Sequence, residues 1–331
     1  MIITRTPYRI SFFGGGSDYP EWFRKYGGRV ISTSINKYIY ITYRSLPNFF
    51  DHKYRIVWSK IENVKNANKI DHKVVRNLIK YMDIKKGLEI HYDGDLPARS
   101  GIGSSSSFVI GLMKAMFEFK NININPLNLA KKATFFEQKI LNETVGSQDQ
   151  IACSLGGFNR ITFLKNGNVK IKKFKKDKIK KLNDNLILIY TSIKRDAHSI
   201  ASGYVNKLDK SKKKHIDQII KHSIKGEQFL NSGNYDDFGK LLDSTWELKK
   251  KLSNSVSNKK IDDLYNHCIE NGALGGKLLG AGGGGFLLIY MKKKFRESFF
   301  SKSKKIIKVP FNFSDLGSEV IFNSEKRWLL I

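Results

Sequence analysis

A run of four serines that closely follows two glycines constrains this chain more than any other stretch. Residues 97–107 lie between an alternating segment, residues 87–92, and a continuous apolar segment, residues 108–117. Alternation is typical of a strand, and a long apolar run favours a mostly buried helix. The order predicts a strand, a glycine-serine loop and a helix start, with the serines at the N-cap and in the first turn. The unpaired N–H groups at a helix N-terminus favour a bound anion such as phosphate.

The loop does not match a Walker A loop, because no Lys-Ser or Lys-Thr pair ends it. Its serine hydroxyls are hard oxygen ligands that suit Mg²⁺. A flexible Gly/Ser linker is the alternative interpretation, although the flanking strand and buried helix weigh against it. By itself the loop predicts an anion at a helix start and nothing narrower.

Length and composition predict a two-domain protein. The chain has 331 residues and a hydrophobic content of 40%, and it contains no apolar run of about 18 residues that could span a membrane. A lysine-rich segment, residues 175–182, is the predicted boundary between domains 1–180 and 181–331. The two cysteines, Cys153 and Cys268, favour a reducing compartment, the cytoplasm, without a disulfide framework. The first seven residues are predicted to be a strand and not a signal peptide.

The chain is strongly basic, with a formal net charge of +29 and a pI of about 9.9. Such a field attracts polyanions, so a nucleic-acid-binding protein is an alternative from a different functional class. That alternative predicts tight binding that weakens steeply with salt. The sequence lacks basic–aromatic RNA-recognition signatures, and its lysines are spread along the whole chain, which favours generic surface composition.

Three glycine clusters, at residues 14–16, 101–103 and 280–285, each adjoin an apolar segment that is predicted to be a strand. One such cluster could be a tight turn or a bulge. Three of them favour a shared cleft in which backbone approaches a ligand closely. Helical patterns that alternate with separated strands indicate an α+β fold, and Asn166-Gly167 predicts a hairpin turn.

Four charged residues near these clusters are candidates whose roles the residues alone leave open. Asp149 and Asp18 could be helix N-caps, Glu137 could be a solvated helix residue, and Arg9 could be a surface charge. Their importance depends on whether the three glycine turns converge.

Residues 7–18, 97–107 and 277–286 resemble, in order, the three signature motifs of the GHMP kinases. Residues 239–249 and 256–262 are similar to a sugar 1-kinase branch that includes heptose 7-phosphate kinases. The resemblance implies a ribosomal protein S5 domain 2-like N-terminal domain, a ferredoxin-like C-terminal domain and an active site between them. It also implies an enzyme that is a monomer or a homodimer and uses ATP and Mg²⁺.

The resemblance assigns roles to residues of all three motifs. Asp149 would be the catalytic base, with Arg9 beside it, and Ser105 and Glu137 would bind the metal. The ATP phosphates would lie on Arg99, Ser100, Gly101, Ile102, Gly103, Ser104, Ser105 and Ser106. The substrate would contact Arg9, Gly15, Gly16, Ser17, Asp18, Asp149, Gly283 and Gly284. Thr191 and Arg195, at the start of the second domain, are further candidates.

The implied reaction is phosphorylation of the anomeric hydroxyl of D-glycero-D-manno-heptose 7-phosphate to the 1,7-bisphosphate, a step toward nucleotide-activated heptose. The first motif ends here in Gly-Gly-Gly-Ser-Asp, where galactokinase-like members have Gly-Glu-His, and this departure argues against galactose. Another sugar 1-kinase, acting on fucose or a hexose, is the alternative within the family.

Overall fold

The computed structural model describes residues 1–193 and 210–324, together with residues 203, 205 and 208, and these residues form an α+β fold with two sheets. The strands are Ile2–Phe13 (β1), Gly28–Ser45 (β2), Tyr54–Val57 (β3), Ile61–Val64 (β4), Leu88–Gly94 (β5), Phe158–Phe163 (β6), Val169–Lys173 (β7), Leu186–Tyr190 (β8), Ala273–Leu278 (β9), Phe286–Met291 (β10), Ile307–Val309 (β11), Phe313–Ser314 (β12) and Glu319–Asn323 (β13).

Helices connect these strands. They are Pro20–Tyr26 (α1), Lys73–Tyr81 (α2), Ser104–Phe119 (α3), Pro126–Phe135 (α4), Gln148–Leu155 (α5), Asp177–Asp184 (α6), Lys213–Ser232 (α7), Tyr235–Lys250 (α8), Lys259–Glu270 (α9) and Lys293–Lys302 (α10), with short 3₁₀ turns at Ala67–Lys69 and Asn254–Val256. None of the helices in the described part of the chain is long and apolar enough to cross a membrane.

The larger sheet has the order β13-β1-β2-β5-β3-β4; in addition, β6 and β12 pair with β2, and β7 pairs with β6. The long strand β2 pairs with β1, β5, β6 and β12, while β3 and β5 are the parallel pair. The apolar helix α3 is buried over most of its length and packs on β1 and β2. The hairpin predicted at Asn166-Gly167 joins β6 to β7.

The smaller sheet has the order β11-β8-β10-β9. Its central strands, β8 and β10, are almost continuously apolar and buried. Helix α8 packs along β9, and Gly275 allows this close approach, because a Cβ there would lie 2.2 Å from the carbonyl oxygen of Gly239.

The chain returns to the larger sheet at its end, where β12 pairs with β2 and β13 pairs with β1. The predicted division between residues 180 and 181 falls within α6. The two sheets are therefore not separated by a single cut in the sequence, and the domain boundary stays a prediction.

The serine loop has the predicted order of strand, loop and helix. Strand β5 ends at Gly94 and helix α3 begins at Ser104. The N-cap is Gly103, with a left-handed φ of 78°, and not a serine as predicted. The four serines occupy the first turn of α3, where the unpaired backbone N–H groups of a helix lie.

Pro126 predicts the start of a helix that reaches Leu141, and α4 does begin at Pro126, with Asn125 as its N-cap. It does not continue to Leu141 as one α-helix, because a turn of π-helix, Phe136–Ile140, follows it. Such turns are common at functional sites. Here the turn carries the buried Glu137.

Candidate active site

Two of the three glycine turns contact each other across the two halves of the chain. A Cβ on Gly101, whose φ is +80°, would lie 2.6 Å from the carbonyl oxygen of Leu279. A Cβ on Gly285 would lie 2.0 Å from the carbonyl oxygen of Ser100. The backbones of the serine loop and of the 280–285 turn are therefore packed at a distance that only glycine permits.

These turns border a cavity of about 840 Å³. Its lining draws on both sheets and on the loop that precedes α5. The candidate residues that line it are Arg9, Gly15, Gly16, Asp18, Arg99, Gly101, Gly103, Ser104, Ser105, Ser106 and Asp149.

Arg9 and Asp149 form a bidentate ion pair at this cavity. Nε of Arg9 donates to Oδ1 of Asp149 at 2.7 Å, and its second terminal nitrogen donates to Oδ2 at 2.6 Å. The remaining nitrogen donates to the carbonyl of Gly101 at 2.8 Å. Arg9 is buried, but a quarter of the Asp149 side chain is exposed. One guanidinium thus links the carboxylate to the serine loop.

The charge of Arg9 persists despite burial. Burial disfavours the guanidinium, but the adjacent Asp149 carboxylate more than offsets this, and the pKa of Arg9 lies above its ordinary value. Asp149 lies in the first turn of α5, and the N-cap there is Ser147. The alternative of an N-capping aspartate is therefore wrong.

Asp18 is almost completely buried beside the same cavity. Its carboxylate accepts the N–H of Gly16 at 3.0 Å and that of Gln148 at 3.3 Å, and α1 is preceded by Tyr19 as its N-cap. Burial, together with the charge of Asp149, raises the pKa of Asp18 to about 6. A Cβ on Gly146 would lie 1.9 Å from Oδ2 of Asp18, so that glycine leaves room for the carboxylate.

Glu137 lies behind the serine loop and is fully buried. Oγ of Ser106 donates to its carboxylate at 3.1 and 3.2 Å, and Oγ of Ser105 lies at 3.5 Å. Burial raises the pKa of Glu137 to about 8. No group of three or more His, Cys, Asp or Glu side chains suited to a metal occurs among the described residues, so this centre combines one carboxylate with hydroxyls.

Lys277 is a functional candidate that the sequence reasoning did not assign, although the third motif begins with it. It lines the cavity and is buried. Its ammonium donates to the carbonyls of Ser11 and Phe12 at 3.1 and 2.8 Å. Burial, with a contribution from the charge of Arg9, lowers the pKa of Lys277 to about 7. Its position on β9 ties the smaller sheet to β1.

An aromatic part of the lining was also missed. It consists of Trp58, His72, Tyr92 and Phe108. The rings of His72 and Phe108 lie 5.1 Å apart, and those of Tyr92 and Phe108 lie 5.3 Å apart. Phe108 follows the four serines directly on α3, so this aromatic surface adjoins the serine loop.

Several predicted binding residues do not line the cavity, because their side chains or backbones are used elsewhere. Ser17 donates to the carbonyl of Gly14, Ser100 donates to that of Pro97, and Ile102 is buried. The N–H of Gly283 bonds to Val256, Gly284 packs on Ile193, and Thr191 donates to Gly285. The direct contacts of a ligand with Ser17, Ser100, Ile102, Thr191, Gly283 and Gly284 stay predictions. Arg195 lies outside the described residues.

Comparison with protein families matches both halves of the chain. The model of the GHMP kinases N terminal domain matches residues 68–157, and that of the GHMP kinases C terminal matches residues 227–299. The first match contains the serine loop, Glu137 and Asp149, and the second contains Lys277 and the whole 280–285 turn.

Characterised relatives align over most of the chain. The D-glycero-alpha-D-manno-heptose 7-phosphate kinase of Campylobacter jejuni subsp. jejuni is 32% identical over 302 residues, which cover 88% of this chain and 89% of that protein. The galactokinase of Pyrococcus furiosus is 25% identical, with 88% of this chain and 89% of that protein covered.

The fold also matches solved structures. A D-glycero-D-manno-heptose 1-phosphate kinase from Bacteriodes thetaiotaomicron aligns with a TM-score of 0.78 and 23% identity, covering 98% of this chain and 99% of that one. This match shows that the chain shares the fold of that structure.

Proposed function

The chain belongs to the GHMP kinase family and is a phosphotransferase that acts on a sugar hydroxyl, and we propose D-glycero-D-manno-heptose 7-phosphate as its acceptor. The product would be the 1,7-bisphosphate, with ATP as the donor. The observation that carries the proposal is the Arg9–Asp149 pair, which faces the same cavity as the serine loop. The 32% identity to a heptose 7-phosphate kinase supports the choice of sugar.

The serine loop is proposed to hold the triphosphate of ATP. The first turn of α3 presents unpaired N–H groups at the cavity, and Gly101 and Gly103 adopt left-handed conformations that shape the approach. Arg99 lines the same wall. Backbone donors and the helix dipole favour phosphate at such a position. The aromatic surface of Trp58, His72, Tyr92 and Phe108 adjoins this loop and suits the purine.

The residues beside the loop fit Mg²⁺. A buried carboxylate, Glu137, lies within reach of the hydroxyls of Ser105 and Ser106, and this small set of hard oxygen donors is what Mg²⁺ takes when phosphates and water supply the remaining ligands. Bound there, Mg²⁺ would neutralise charge on the phosphate oxygens. Ser105 and Glu137 are the residues that we propose to hold it.

Asp149 is proposed to orient the anomeric hydroxyl and to accept its proton. As the hydroxyl oxygen bonds to the γ-phosphorus, the bond from phosphorus to the bridging oxygen breaks, and ADP leaves with that electron pair. A carboxylate suffices as the acceptor, because a loose transition state needs the proton removed only late. Arg9 holds both carboxylate oxygens and thereby fixes the orientation of the acceptor group.

Asp18 is proposed to accept hydrogen bonds from sugar hydroxyls, with Gly15 and Gly16 allowing the sugar to approach. Its raised pKa makes this contact sensitive to pH. Below pH 6 the carboxyl becomes protonated and loses charge, so we expect kcat/KM for the sugar to fall with a midpoint near 6. In Asp18→Asn this acidic limb should vanish, while KM for the sugar rises at neutral pH.

The matched control for that measurement is Asp95→Asn. Asp95 also accepts a backbone N–H, that of Tyr38 at 2.8 Å, but it does not line the cavity. Its variant should keep the acidic limb. A limb that persists unchanged in Asp18→Asn would assign it to another group.

Truncation of Ser105 tests the metal assignment. In Ser105→Ala we expect the Mg²⁺ concentration needed for half-maximal activity to rise about tenfold or more, with a smaller change in KM for the sugar. Ser107→Ala is the control, because Ser107 lies in the same serine run but donates to the carbonyl of Pro7 at 2.9 Å. A larger rise in sugar KM than in the metal requirement would show that the metal is misplaced.

A panel of sugars and sugar phosphates tests the proposed substrate. Steady-state assays with D-glycero-D-manno-heptose 7-phosphate, the unphosphorylated heptose, fucose and hexoses should show a clear preference for the phosphorylated heptose in kcat/KM. Indifference to the distal phosphate would refute this substrate and favour another sugar 1-kinase. Activity on none of the sugars, with tight salt-sensitive binding of nucleic acid, would revive the nucleic-acid-binding alternative.

We also propose that the enzyme is cytoplasmic. Both cysteines, Cys153 and Cys268, are free and buried, which agrees with a reducing compartment. Whether the enzyme is a monomer or a homodimer stays a prediction that sedimentation velocity would test.

A further inference from the structure

Gln150 occupies the position between the proposed base and the proposed metal site. It follows Asp149 on α5 and is completely buried. Its amide nitrogen donates to Oε2 of Glu137 and, at 3.2 Å, to Oγ of Ser106. Ser106 donates in turn to the same carboxylate. Gln150 and Ser106 therefore hold Glu137 from two sides.

The other end of the same amide has no hydrogen bond. Oε1 of Gln150 is buried and lacks a partner within the part of the chain that the structure describes. Burial of such an atom removes its hydration without a compensating hydrogen bond. If the amide group were rotated by 180°, Oε1 could accept a hydrogen bond from the hydroxyl of Ser106. That flip would place the carbonyl oxygen against Oε2 of Glu137, where it would repel the ionised carboxylate that a metal requires. The ionised, metal-binding form of Glu137 therefore favours the amide orientation in which nitrogen faces it.

We infer that Gln150 is a positioning residue, which fixes the carboxylate of Glu137 beside the serine loop for a divalent cation. The inference rests on the metal site of the proposed function, although not on the identity of the sugar. Groups that orient a ligating carboxylate contribute strongly to metal affinity, and their removal commonly weakens binding about 10- to 100-fold. Gln150 touches neither substrate in this account and acts through Glu137.

The test measures Mn²⁺ binding by electron paramagnetic resonance, with a non-hydrolysable ATP analogue present and no sugar. In Gln150→Met, a substitution of similar length, we expect Mn²⁺ affinity to fall about 10- to 100-fold. Turnover measured with a sugar substrate should recover toward the wild-type value at saturating Mg²⁺, because Asp149 is unchanged. An unchanged Mn²⁺ affinity would overturn the inference. A turnover that saturating metal does not restore would also overturn it.

Two comparisons separate positioning from general damage. Gln138→Met removes an amide from the π-helical turn that carries Glu137, one that donates to the carbonyl of Val145 at 2.9 Å, and it should leave Mn²⁺ affinity unchanged. In a double-mutant cycle, Gln150→Met should add little to the loss caused by Glu137→Gln. Losses that add fully would show that Gln150 acts independently of Glu137.

A second variant keeps the test decisive if the methionine variant does not fold. Gln150→Asn keeps an amide but shortens the side chain by one methylene, so its nitrogen no longer reaches Glu137, and it should weaken Mn²⁺ binding in the same direction. Mn²⁺ affinity is measured without sugar, so this readout does not depend on which sugar is the substrate. Failure of the sugar panel with intact Mn²⁺ coupling would refute the heptose 7-phosphate proposal alone.

Discussion

Replacement of Asp149 by asparagine is expected to lower kcat at least about a hundredfold, the usual scale for a general base. Asparagine has the same shape and can still accept one hydrogen bond from Arg9, but it cannot take the hydroxyl proton. The loss should appear in kcat with little change in the affinity for ATP, because the serine loop is bound to Arg9 separately through the carbonyl of Gly101. Steady-state kinetics and calorimetric titration of ATP measure the two quantities.

Stability needs its own control in this experiment, because Asp149→Asn leaves the buried Arg9 with a weaker partner. The control is Asp177→Asn. Asp177 also lies in the first turn of an eight-residue helix, but it is exposed and outside the cavity. Both variants lose a favourable charge at a helix N-terminus, worth about 0.3–1 kcal/mol. If Asp149→Asn turns over at a near-normal rate, Asp149 is not the base. The proposed role of Arg9 in orienting that base would then also be wrong.

The elements whose signals are local could be predicted from the sequence. The hairpin at Asn166-Gly167, the helix that begins at Pro126 and the serine loop before a buried helix are all present. Each depends on neighbouring residues whose preferences act within a few positions. The α+β class and the GHMP kinase fold are also confirmed, although only the family resemblance specified the second.

The long-range arrangement could not be predicted from residue patterns. The pairing of β13 with β1 joins residues more than 300 positions apart, such as Ile2 and Asn323, and no local preference encodes it. The π-helical turn at Glu137 was missed because a periodic apolar pattern does not distinguish it from a continued α-helix. The N-cap of α3 is Gly103 and not the predicted serine, because the N-cap residue has a left-handed backbone conformation.

The residue patterns alone also could not show that the candidate residues lie at one cavity. Asp149 and Asp18 could each have been a helix N-cap, and Arg9 could have been a surface charge. Only the order of the three motifs indicated that they belong to a common site. The structure places these three beside one cavity. Lys277 and Gln150 were not assigned because a lone lysine or glutamine carries no local signal, and their importance comes from burial and from partners distant in sequence.

Replacement of Gly101 by alanine is expected to damage both the fold and nucleotide binding. A φ of +80° costs an L-residue about 1–2 kcal/mol. The new Cβ would also lie 2.6 Å from the carbonyl oxygen of Leu279, and forced overpacking of this kind costs about 1–3 kcal/mol more. We therefore expect the free energy of unfolding to fall by about 2–5 kcal/mol in total. Because the serine loop must move away from the 280–285 turn, ATP affinity should fall too.

Gly167→Ala separates the two costs, because Gly167 has a nearly equal φ of +87° but open space around the new Cβ. Denaturant unfolding should therefore show a loss of only about 1–2 kcal/mol in this variant, with ATP affinity and turnover unchanged. The difference between the two variants measures how closely the two halves of the chain meet at the phosphate loop. Equal losses in both would mean that the close packing of Gly101 against the carbonyl of Leu279 is not maintained in solution. The contact between the glycine turns would then have no part in holding ATP.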